Sequence, residues 1–119
     1  MTWHPSGVLS LVQADALVNW IEAVEPVIGT FNRFADLSRL NEIHLSDDDI
    51  ATLAEKRSGS YRGEPVKVVL LAGTLLSYGI AAMYQRLMSA TPIQVEVVVQ
   101  LTSACRILGV GPELLIRQP

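Results

Sequence analysis

The chain has 119 residues, 50% of them hydrophobic and 18% charged, with a formal net charge of −3. That is apolar enough for one domain, spanning 1–119, to bury a core without metals or disulfides, and too weakly charged for a disordered chain. The negative balance argues against nucleic acid as a partner, because binding its backbone needs a concentrated positive field.

The opening stretch, MTWHPSGVLS, has no basic region followed by a long apolar run. With one cysteine, Cys105, no internal disulfide can form, and the expectation is a cytoplasmic protein. Residues 1–9 read as irregular or a short strand. Ser10 with Gln13 is a capping box. Leu17, Trp20, Ile21, Val24 and Ile28 then recur at helical spacing, and Pro26 and Gly29 mark an end, so the first helix is expected over 11–25.

Residues 32–37 read as a strand. Ser46 opens the second helix with Asp49 at its third position, and Asp47, Asp48 and Asp49 sit where the helix dipole favours carboxylates. Ile50, Leu53 and Ala54 form its apolar stripe, and Lys56 and Arg57 close it. Asp36 to Ile50 is therefore a strand end, a short loop and a helix start. Residues 58–65, SGSYRGEP, read as a loop.

Val68 to Gln85 carries no formally charged residue, a length that approaches a membrane span. Gly73, Thr74, Ser77 and Gly79 interrupt it and its period changes midway, so no membrane span is expected. VKVVLLA (66–72) reads as a central strand buried on both faces. Thr74 caps a third helix with Leu76, Ile80, Met83 and Leu87 on one stripe and a small-residue strip, Gly79 and Ala82, beside it. IQVEVVVQ (93–100) alternates as an edge or half-covered strand does. A short last helix follows, capped by Thr102, packing Ala104, Cys105, Ile107 and Leu108, and stopped by Gly109. The tail GPELLIRQP is expected to lie on the surface against the body. The alternation α-β-α-β-α-β-α implies a parallel sheet with right-handed crossovers.

No catalytic constellation stands out. Successive residues on a helix point about 100° apart, so Asp47, Asp48 and Asp49 cannot converge on a metal. His4 and His44 have no partner at ligand spacing. Cys105 lies on a packing face. Lys56, Arg57 and Arg62 flank the SGSYRG loop, where they either hold an acidic group or are simply solvated. The nucleotide-binding and hydrolase motifs are missing, so no enzyme and no cofactor is expected.

Asp36-Leu37-Ser38 at a strand end, followed by Ser46 at a helix start, resembles the STAS domain, the anti-sigma-factor-antagonist fold. FADLS, IHLS, VKVVLLA and YGIAAMYQRLM together look like the small bacterial STAS-like proteins of unassigned role. The order of elements agrees over residues 10–110. The resemblance implies an α/β fold with a mainly parallel sheet of three to four strands and alternating helices. It also implies a non-enzymatic regulatory module that meets a protein partner, a serine kinase or sigma-regulatory protein. Ser46 stands at the phosphoacceptor position of that family, although the same serine is accounted for as an N-cap. The partner surface would comprise Asp36, Ser38, Asp47, Arg57 and Arg62. The chain departs from the signalling members at Leu45, where they carry a second Ser or Thr, and at Asp47, where they carry Gly. The family's N-terminal strand pair is expected to be shortened or absent. Homodimerisation through a strand edge or the Gly79/Ala82 strip is a further expectation. The alternative function is a carrier or sensor of a small apolar or anionic ligand.

Overall fold

The structure, a computed structural model, describes residues 1–61 and 63–116. Chain order is β1 (Thr2–Trp3), β2 (Gly7–Ser10), α1 (Leu11–Ile28), β3 (Arg33–Asp36), β4 (Leu40–His44), α2 (Asp47–Ser60), β5 (Val66–Leu71), α3 (Leu75–Leu87), β6 (Ile93–Val98), α4 (Leu101–Leu108) and α5 (Pro112–Ile116). A four-stranded sheet runs β1-β3-β5-β6, and β2 pairs with β4 in a separate two-stranded ladder. Every pairing is parallel. Parallel neighbours cannot be joined by hairpins, so each main-sheet strand returns through a helix. Helices cover both faces, the crossovers α1, α2 and α3 one of them and the C-terminal α4 and α5 the other. On one, Ala35, Val68 and Leu70 pack against residues of α1, α2 and α3. On the other, Phe34, Val69 and Leu71 pack against α4 and Leu115 of α5. The expected central strand is β5, and the expected edge strand is β6.

Several expectations are corrected. The loop expected between the first strand and the second helix contains β4, which pairs with β2 in register from Val8↔Glu42 to Ser10↔His44. Only Leu40 of β4 is fully buried, so it lacks the apolar alternation that would have marked it. The N-terminal strand pair exists, shortened to two and four residues. Pro26 lies inside α1, which runs on to Ile28 and ends at Gly29 with φ +87° and its amide on the Glu25 carbonyl at 2.9 Å. α2 extends to Ser60, three residues past Arg57, and α4 starts after Gln100, ahead of Thr102.

Two helices are rotated from their expected faces. α1 buries Ala14, Val18 and Ile21 and exposes Trp20 and Ile28. α3 buries Ser77 and Ala81, with Met88 just beyond it, and exposes Leu75, Leu76 and Leu87. Ser77 is drawn inward because its hydroxyl oxygen accepts from the Gly73 and Thr74 amides at 3.2 and 3.0 Å while donating to the Thr74 carbonyl. A small Ala81 below it lets the helix approach the sheet. Both helices are apolar on more than one line, so periodicity alone leaves the buried line undetermined.

Candidate functional site

The strand-to-helix junction is well ordered by its own hydrogen bonds. Asp36 ends β3, and its Oδ1 accepts from both the Ser38 amide, at 2.9 Å, and the Ser38 hydroxyl. Such an Asx turn lets the chain leave the sheet sharply. Gly73 passes beneath it; a Cβ there would stand 2.8 Å from Ser38 Cα. His4 Nδ1 lies 3.7 Å from Asp36 Oδ2, and its side chain is 7% exposed and edge-on to Phe34. Neither ring nitrogen has a hydrogen-bond partner among the described residues. The three side chains are in the wrong order for a hydrolytic triad. The serine hydroxyl donates to the carboxylate, so the imidazole is not placed to take its proton.

Ser46 is an N-cap, as its position in the sequence indicates. Its hydroxyl accepts from the Asp49 amide at 3.1 Å, and the Asp49 carboxylate accepts from the Ser46 amide at 2.9 Å. Ser46, Asp47 and Asp48 are exposed. No group of three metal-ligating side chains occurs among the described residues.

Arg57 leaves the expected partner surface altogether. It is 2% exposed because it continues the Ile50–Leu53–Ala54 stripe at helical spacing. Its Nη1 and Nη2 donate to Glu25 Oε1 and Oε2, both at 3.1 Å. Glu22 stands 3.9 Å from Arg57. Arg33, also buried, reaches the same Glu25 Oε2 at 3.5 Å. Its guanidinium sits 5.7 Å from the Phe31 ring centroid, a cation–π distance. Burial, then the positive charge of Arg57, lowers the Arg33 pKa, and Glu25 opposes the fall. Burial raises the Tyr84 phenol above its usual range, against the pull of Arg57 and Arg33. Arg62 lies outside the described residues.

This cluster forms one wall of a cavity of about 150 Å³ between the sheet and α1, α2 and α3. Trp3, Leu17, Val18, Leu70, Ile80 and Ala81 supply much of the apolar lining; Arg33, Arg57 and Tyr84 are its polar part. Leu17 and Ile80 are half-buried, so this wall reaches the surface. The sequence carries a partial signal for the site: Arg57 falls on a core stripe, and Arg33 opens a strand whose next two residues, Phe34 and Ala35, are apolar. Nothing in it pairs either arginine with Glu25. The Gly79/Ala82 strip has no such role within the chain, since a Cβ on Gly79 would meet nothing within 4 Å.

No helix among the described residues is long and apolar enough to cross a membrane. No protein-family model matches the sequence, and no curated protein matches it. Among solved structures, it is similar to an uncharacterized protein of the DUF3478 family with a SpoIIAA-like fold, from Shewanella loihica PV-4. Identity is 15% and the TM-score 0.56, over 90% of this chain and 82% of that one. The fold is thus SpoIIAA-like, of the STAS type, as the strand-end and helix-start residues implied.

Proposed function

We propose that this domain is a non-enzymatic binder, a carrier or sensor, of a small and mainly apolar ligand held between the sheet and α1, α2 and α3. The observation that carries the reading is the cavity of about 150 Å³. Protein interiors are close-packed, so an unfilled apolar space of this order between sheet and helices is a departure that a guest would relieve. A guest the size of benzene fills such a space. Trp3 lies in the wall and provides an intrinsic probe. Titration with a small apolar compound such as 1-hexanol is expected to shift Trp3 emission and raise the melting temperature. Ala81→Leu, which fills the cavity from α3, should abolish both responses. A titration in which neither signal moves for the wild type sinks this reading.

A second reading, a regulatory module meeting a serine kinase or sigma-regulatory partner, is favoured by the exposure of Ser46, Asp47 and Asp48 at the start of α2. It requires Ser46 to leave its cap when modified. A phosphate adduct on the intact protein, lost in Ser46→Ala, supports it. An unmodified mass after incubation with an STAS-directed serine kinase counts against it.

A further inference from the structure

The polar wall of the cavity is electrostatically incomplete. Glu25 is a single carboxylate serving two buried guanidiniums. Both of its oxygens are engaged by Arg57 at 3.1 Å, and Arg33 is left with one long contact at 3.5 Å. A guanidinium has five N–H donors. Those of Arg33 find no other acceptor among the described residues. Glu22 does not make up the difference: it approaches Arg57, not Arg33, and also accepts from the Ser60 hydroxyl. The Tyr84 hydroxyl lies at the same cavity and has no hydrogen-bond partner among the described residues. The remaining Arg33 N–H groups and the Tyr84 hydroxyl are therefore unused donors at the wall of an apolar space.

We infer that the ligand is a small monocarboxylic acid, its apolar body in the cavity and its carboxylate on the free edge of Arg33 beside the Tyr84 hydroxyl. This rests on the ligand-binding reading above and deepens it. A carboxylate matches the planar fork of a guanidinium, and the charge-assisted bonds it makes are roughly twice as strong as neutral ones. Its single charge suits the one guanidinium that Glu25 serves poorly. A phosphate would bring a second charge and a heavier desolvation cost into a wall otherwise formed by side chains such as Leu17, Val18 and Ile80. The cavity volume limits the body to about six carbons, by comparison with a benzene-sized void.

The test pairs hexanoate with 1-hexanol, which share a tail and differ in the head. Trp20→Phe removes the half-exposed tryptophan and leaves Trp3 as the reporter. Hexanoate is expected to bind at least tenfold tighter than the alcohol, with Arg33→Met erasing the difference. Equal affinities overturn the acid-head inference while leaving the cavity reading intact. Failure of both compounds to bind overturns the cavity reading itself. The wild-type comparison decides without any Arg33 variant. Arg33→Lys, which keeps the charge but loses the fork, is expected to retain an acid preference of reduced size; an unchanged preference also counts against bidentate recognition.

Discussion

Arg57 and Glu25, 32 residues apart in the chain, face each other as a bidentate ion pair with both N–O distances at 3.1 Å. The pair clamps α2 to the end of α1. Arg33 leans on the same carboxylate from β3. Glu25 is therefore the shared partner, and the two ends of the cluster differ in what their loss leaves behind. Glu25→Gln leaves the buried Arg33 without a neutralising charge and Arg57 with only Glu22, 3.9 Å away, and is expected to cost about 3–5 kcal/mol. Arg57→Met leaves Glu25 paired with Arg33 and should cost less. Urea denaturation of both variants gives the order; the reverse order contradicts a shared carboxylate.

Tyr84 links the cluster to alkaline stability. Its phenol pKa is raised by burial, and Arg57 and Arg33 oppose the rise. In the unfolded chain the phenol loses its proton near its ordinary value of 10.0, while the folded protein still holds it. The unfolded state then binds fewer protons, so stability is complete below pH 10 and falls as the pH rises toward the folded-state pKa. Thermal unfolding from about pH 9 to 11 should show this decline, and Tyr84→Phe should reduce it. A variant that declines as steeply as the wild type would remove Tyr84 from the explanation.

Two glycines should respond to alanine in opposite directions. Gly79 lies in α3 with open space where a Cβ would go, so Gly79→Ala is expected to stabilise by about 0.5–1 kcal/mol through helix propensity and unfolded-state entropy. Gly73→Ala forces a Cβ to 2.8 Å from Ser38 Cα, which is backbone and cannot swing aside. A cost of about 1–3 kcal/mol is expected. Melting temperatures suffice to show the signs. Destabilisation by Gly79→Ala would mean that α3 packs against something beyond this chain.

Ser46 contributes as a cap whatever else it does. Ser46→Ala removes the acceptor for the Asp49 amide and should cost about 1 kcal/mol. Ser46→Asp restores a capping oxygen but adds a fourth carboxylate to the turn, so it should recover part of that loss, more of it at high salt as the repulsion is screened. Chemical denaturation at two salt concentrations measures both effects. Full stability in Ser46→Ala would show that Asp49 holds the turn alone.

The sequence by itself determined the elements whose signals are local. Thr74 and Ser46 cap their helices because the acceptor and the amide are three residues apart in the chain. VKVVLLA forms the central strand because only a β-branched, nearly uninterrupted apolar run suits burial on both faces. The alternation of strands and helices required parallel pairing, and with it the STAS-type fold. Tertiary structure decided the rest. β4 becomes a strand because β2 supplies its ladder. α1 and α3 turn Ala14 and Ala81 inward because close approach to the sheet selects among their apolar lines. Arg57 moves from expected surface to core because Glu25 lies across from it. Cap hydrogen bonds close within one turn, whereas the charge that permits an arginine to be buried comes from another helix, and its position exists only once the chain has folded.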